Sequence, residues 1–218
     1  MLKGFLIFIF ILLSPISFAQ TFDAGIIGGS ILNFEESYKS RNYKNLHQIG
    51  VSIKYNFRDE FPLGIGVNFF YGDKNLQNVD KPNMYYQLNA TLIYTDFPIT
   101  YGVFTYQDFS IFTGISFGFG NLKVVEEYRG VNPPTLSGSA SEFSWSMEPK
   151  IEFQYYILKQ IKFVISTGYF ISTYSFENSN TNNFTPIPGS EPGAELPEIV
   201  NEFNFNSIHL YLGLVYSF

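Results

Sequence analysis

Ser207 and His209 stand two positions apart in a 218-residue chain that holds one other histidine, His47, and no cysteine. On an extended strand that spacing puts both side chains on one face, where a hydroxyl nucleophile and its general base would meet. With a carboxylate behind the imidazole, the chemistry would be acyl transfer, as in a lipid A-modifying enzyme. The neighbours argue against it. Ile208, Leu210, Leu212 and Leu214 take the alternate positions, so if these meet lipid, Ser207 and His209 turn away from any acyl substrate. We therefore read them as a polar luminal pair. Two histidines on different strands, with no carboxylate cluster beside them, make a poor metal site; no metal and no cofactor are expected.

The remaining candidates are charged, and they sit in passages of strict alternation. Phe143, Trp145, Met147, Pro149, Ile151, Phe153, Tyr155 and Ile157 interleave with Ser144, Ser146, Glu148, Lys150, Glu152, Gln154 and Tyr156. A period of two over that length is a β-strand with different solvents on its two sides. Ile49, Val51, Ile53, Tyr55 and Phe57 alternate in the same way with Gln48, Gly50, Ser52, Lys54 and Asn56, and the pattern returns in 63–71 and 109–119. If the polar side is enclosed, its charges must pair, because an unpaired buried charge costs several kcal/mol. Lys54, Glu148, Lys150 and Glu152 are thus expected to form a luminal polar network.

Composition narrows the class. Thirteen basic residues against 19 acidic ones give a formal charge of -6, which leaves no basic footprint for a nucleic acid. Charged residues make up 15% of the chain, against roughly 25% in a typical soluble domain, while 25 Phe and 16 Tyr are a large excess. A secreted ligand-carrying barrel would put polar residues outside and apolar ones within; here the polar set is the one to be enclosed.

Connections set the topology. Arg58 to Phe61, Tyr106 to Asp108 and Lys159 to Gln160 are short, whereas 35–46, 73–83, 121–141 and 177–202 are long and polar or rich in Pro, Gly and Asn. The two kinds alternate along the chain. This predicts an all-β fold, an eight-stranded antiparallel up-and-down transmembrane barrel with short periplasmic turns and long extracellular loops. The expected strands cover about 22–33, 47–57, 62–72, 84–105, 109–120, 142–158, 161–176 and 203–218. In the fourth, Tyr86, Leu88, Leu92 and Tyr94 share one parity and Phe97, Ile99, Tyr101 and Val103 the other, which calls for a bulge near Thr95 and Asp96 or a turn over 95–98; a turn would add two strands and put the later long loops on different sides from the first two, so the bulge is the expectation. Pro98 and Pro149 also call for a bulge or a rim. Tyr55, Phe57, Phe61, Tyr101, Phe109, Tyr155, Phe163, Tyr216 and Phe218 would form an aromatic girdle near the short turns. An eight-stranded interior is filled by side chains, so solute diffusion is not expected.

Lys3, the apolar run 4–13 and the small residues up to Ala19 have the order of a secretory signal peptide, residues 1–19, cleaved between Ala19 and Gln20. The barrel domain is then 20–218. The stretch Tyr211 to Phe218 resembles the terminal assembly signal of outer-membrane proteins, carried by Tyr211, Gly213, Tyr216 and Phe218. What that resemblance implies is recognition by the barrel-assembly machinery and residence in the bacterial outer membrane. Asp96-Phe97-Pro98-Ile99-Thr100-Tyr101 and Phe109 to Gly114 are similar to the fourth and fifth strands of PorT-like chains, among the small PorT-like and OmpA/OmpX-like barrels of Bacteroidetes. Some PorT-like members serve in secretion and gliding, so the resemblance implies, as a second reading, an accessory role in such a complex.

The main expectation is a monomeric, non-catalytic barrel that acts structurally or through its surface loops. Its partners would be outer-membrane lipid, lipopolysaccharide and a surface or secretion-complex partner held by those loops, with no nucleic acid among them. The 177–202 loop carries five glutamates and no Lys or Arg, a composition suited to a cationic surface or to divalent-ion bridges. The intact mass of protein taken from the outer membrane should correspond to a chain starting at Gln20; retention of residues 1–19 would refute the cleavage site.

Overall fold

The computed structural model describes residues 21–32, 45–57, 62–81, 84–130, 136–175 and 202–218. The leader, Phe61 of the expected girdle and all but the last residue of the acidic 177–202 loop lie outside the described residues. The strands are β1 (Thr21–Leu32), β2 (Leu46–Asn56), β3 (Leu63–Lys81), β4 (Met84–Tyr106), β5 (Phe109–Gly130), β6 (Leu136–Leu158), β7 (Ile161–Ser175), β8 (Glu202–Asn204) and β9 (Ser207–Ser217). The short β8 and β9 lie end to end along β7, and between them Phe205 N donates to Ser172 O at 2.8 Å. Together they form the eighth stave. Neighbouring staves are antiparallel, β9 pairs with both β1 and β7, and the β6–β7 ladder closes the ring.

Every backbone polar group at membrane depth needs a partner within the protein, and a closed ladder supplies one. Proline tests that requirement. Pro98 lies in β4, where the β3–β4 ladder runs Asn68↔Asp96 and Ile65↔Ile99 with two pairs missing between and no change of register. Pro149 does the same to the β6–β7 ladder, between Met147↔Ile171 and Lys150↔Gly168. Each proline therefore leaves a gap and shifts nothing. The expected bulge at Thr95 and Asp96 is absent; register shifts fall at Asn75/Gln77 in β3 and at Gly102/Phe104 in β4.

The parity change in β4 has another cause. Thr100, Pro98, Asp96, Tyr94, Leu92 and Ala90 all point inward, and Tyr101, Ile99, Phe97 and Ile93 all point outward. What changes is the medium each face meets. Up to Ile93 the outer face is apolar, and above it Thr91 Oγ1 donates to Asp73 Oδ1 at 3.1 Å. The same exchange occurs around the ring: Ser30, His47, Asn121, Ser141 and Thr173 follow the last outward apolar residues, while Leu92, Leu122, Val124, Ile31 and Leu46 fill the interior at that height. Below this rim the wall meets lipid; above it the sheet has a dry inside and a wet outside.

The staves are unequal. In β5 the outward apolar stretch from Phe109 to Phe119 matches the ~9–11 tilted residues that cross a bilayer, yet the strand has 22 residues. Segments 73–81 and 121–130, with 136–141, expected as loops, are mostly strand. Asp73, Asn121, Lys123 and Ser141 turn outward there, and such polar side chains let the sheet continue into water.

An arginine at Leu212, on the lipid face, should cost about 2–4 kcal/mol in a vesicle-based denaturant titration, whereas one at Thr91, on the rim, should cost about 0–1 kcal/mol. Equal costs would refute this membrane boundary.

Candidate functional site

The lumen is stratified. Nearest the short turns lies a charged layer built from five staves. Lys54 of β2 and Glu152 of β6 form an ion pair of 2.8 Å, with both side chains buried. Gln154 Nε2 donates to the same Glu152 oxygen at 2.5 Å, and Lys162 Nζ donates to Gln154 Oε1 at 3.3 Å. Lys162 pairs in turn with Asp23 at 2.7 Å. Asp23 also accepts from Asn56 Nδ2 at 2.6 Å and from Ser217 Oγ at 2.5 Å. The result is one connected chain of charges and amides from Lys54 to Ser217. Beside it lies a cavity of about 30 Å³ lined by Asp23, Lys54, Asn68 and Glu152, about the share of liquid volume of one water.

Two of the four expected network residues go elsewhere. Lys150 donates to the Tyr211 hydroxyl at 2.7 Å. Glu148 lies 3.2 Å from His209 Nδ1. They are on the same stave as Glu152, at successive inward positions, and the stagger of the barrel carries each to a different height. Asp23 and Lys162, which the alternation did not single out, complete the layer. Their signal was present: each is a charge between apolar neighbours on its strand, Phe22 and Ala24 in one case, Ile161 and Phe163 in the other.

An aromatic layer closes the lumen above the charges. Phe70 and Tyr94 stack at 4.6 Å, Phe170 lies 5.4 Å from Tyr94, and His209 sits among Phe70, Phe170, Tyr94 and Tyr211 with ring centroids 5.1–6.3 Å away. Glycine makes the room. A Cβ at Gly168 would collide with Glu148 Oε1, and one at Gly120 would lie 2.5 Å from Tyr94 Cβ.

Ser207 and His209 both face the lumen, with exposures of 3% and 0%. A carboxylate, Glu148, does stand behind the imidazole. The nucleophile does not complete the set: Ser207 Oγ bonds to the Ile208 carbonyl at 3.5 Å, and His209 Nε2 has no hydrogen-bond partner. His47 is at the rim, with Nδ1 2.7 Å from Ser30 Oγ. Among the described residues no group of three or more His, Cys, Asp or Glu is arranged to hold a metal ion.

At the end of β9 the assembly-signal residues divide between the two faces. Tyr211 and Gly213 point inward, Gly213 leaving space for Ile27, while Tyr216 and Phe218 point outward with rings 4.8 Å apart.

Residues 6–186 match the model of the outer membrane protein beta-barrel domain. The chain belongs to that family. Its place is the bacterial outer membrane. Among solved structures it is similar to Ail, the attachment invasion locus protein of Yersinia pestis, at 12% identity over 91% of this chain and 97% of that one, with a TM-score of 0.43. It is also similar to a major outer membrane protein from Thermus thermophilus, at 12% identity over 92% of this chain and 100% of that one, with a TM-score of 0.45. Among curated proteins there is no match.

Replacing Glu152 by Gln strands a buried Lys54 and should destabilise the barrel by about 3–5 kcal/mol. Adding Lys54→Met should restore most of the loss, because the ammonium that Glu152 neutralised is then gone. Urea unfolding of both variants in lipid vesicles decides this; no recovery in the double variant would mean that the pair is not the coupled unit.

Proposed function

We propose that this outer-membrane barrel is a non-catalytic surface-interaction protein whose binding element is the tall four-stranded sheet β3–β6. The observation that carries the reading is the height of that sheet. β3, β4, β5 and β6 keep pairing well above the rim, as far as Lys81↔Met84, Met84↔Gly130 and Tyr128↔Leu136. The β2–β3 ladder ends at Gln48↔Gly72 and the β6–β7 ladder at Ser146↔Ser172; beyond them Lys74 Nζ donates to the Asn45 carbonyl and Ser144 Oγ to Thr173 O at 2.6 Å. We infer that an outer strand of this sheet is where a partner adds, since strand backbone can pair with a strand from another chain. The aromatic layer supports the same reading, since Phe70, Tyr94, Phe170 and His209 pack across the interior below the tall sheet.

The test is co-purification of the tagged protein from its native outer membrane in mild detergent, beside a variant in which 126–138 is replaced by a two-residue Asn-Gly turn. The shortened chain keeps every lipid-facing residue and should still insert. A partner captured in fixed ratio by the full chain and lost from the variant is expected. Retention of that partner by the shortened barrel would overturn the reading and favour an accessory role in a secretion or gliding complex, contacted elsewhere. Recovery of the full chain alone would also overturn it.

A further inference from the structure

A cation stands unmatched on the outer wall where the bilayer ends. Lys123 is exposed on β5 just above the rim, with Thr91 and Ser141 as its cross-strand neighbours. Among the described residues its ammonium has no hydrogen-bond or ion-pair partner. The carboxylates around it are out of reach. Asp73 lies in the same row but two staves away, about 10 Å at ~4.8 Å per stave, and accepts from Thr91 Oγ1. Glu127 is four residues farther along β5, about 13 Å, and Glu142 has the inward parity of Ser146 and Glu148.

Two features beside Lys123 indicate the kind of ligand. The first is a set of free donors. Ser141 Oγ donates to Asn121 Oδ1 at 2.7 Å, which leaves the Asn121 Nδ2 protons, directly below Lys123 on the same face, for an acceptor outside the protein. An ammonium and an amide together suit the oxygens of a phosphate. The second is an aromatic shelf. Phe143 is the cross-strand partner of Asn121, and the rings of Phe119, Phe143 and Trp145 have centroids 5.6–5.8 Å apart. Phe143 and Trp145 are 52% and 71% exposed, on the part of the wall that meets lipid. Positive charge above the rim and ring faces below it match a molecule with an anionic head and an apolar tail.

We propose that the foot of the tall sheet is a binding site for an anionic, phosphate-bearing lipid of the outer leaflet, its phosphate on Lys123 and Asn121 and an acyl chain across Phe119, Phe143 and Trp145. The site uses outward side chains of β5 and β6 and no strand backbone, so it stands or falls separately from the partner-binding sheet. One lysine supplies the selectivity. The expected preference over a zwitterionic lipid is therefore about fivefold, the equivalent of about 1 kcal/mol per basic residue near a membrane surface.

Trp145 is the single tryptophan of the chain, so its fluorescence reads the occupancy of this site. The experiment reconstitutes the protein in phosphatidylcholine vesicles and replaces part of the lipid by a chain-brominated quencher, either phosphatidic acid or phosphatidylcholine. Quenching of Trp145 should show phosphatidic acid bound about fivefold more tightly. Lys123→Gln should abolish the preference, and Lys159→Gln, in a short turn at the other end of the barrel, should leave it intact. Equal quenching by the two lipids would overturn the proposal, as would a preference that survives in Lys123→Gln or falls equally in Lys159→Gln. Relief of the phosphatidic acid quenching by inorganic phosphate at constant ionic strength would mean an ion site and not a lipid site, and would overturn it too.

Discussion

The β6–β7 ladder turns an open sheet into a ring, and the rest of the molecule depends on that closure. In lipid there is no water to take an unpaired N–H or C=O, so a strand is admissible only if both its edges are covered. Closure also sorts the side chains, because a strand in a ring has one face toward the axis and one away. A single-residue slip would exchange those faces along a whole strand. The prolines show how strongly register is held: Pro98 and Pro149 each delete two ladder pairs, yet the pairs on either side resume with the same offset.

Once the ring is closed, the medium outside dictates what belongs inside at each height. Where the wall meets lipid, the interior holds the polar side chains; Lys54 meets Glu152 across the axis, and Lys162 meets Asp23 past the intervening β9. Higher up the interior becomes aromatic, then aliphatic, and the outer wall becomes polar. The rim is therefore visible twice, on the outside at Asp73, Thr91 and Asn121 and on the inside at Leu92 and Leu122.

The buried His209–Glu148 pair illustrates how a constellation with catalytic residue types can serve structure. An imidazole with a carboxylate on one nitrogen is half of a familiar apparatus, but here the other nitrogen is enclosed by rings and the adjacent serine is turned to its own strand. Burial of both side chains, at 0% and 2% exposure, makes the pair part of the packing between the charged and aromatic layers. Residue spacing along β9 placed Ser207 and His209 on one face correctly; it carried no information on which stave lies opposite.

What the sequence by itself determined is everything that depends on neighbours along the chain. A period of two specifies strands, the polar side specifies what is enclosed, and the interruptions between the alternating runs specify where the chain reverses in an up-and-down ring of eight staves. Strand height was not legible, because above the rim the polar residues of 73–81 and 121–130 read as loop until it is known that the sheet has a dry interior behind it. Nor were the partners of the charges. Glu148, Lys150 and Glu152 are spaced alike on one strand, but their contacts are to His209, Tyr211 and Lys54, separated by 61, 61 and 98 positions. Those distances across the lumen follow from the curvature and stagger of the closed sheet, which exist only in the folded ring.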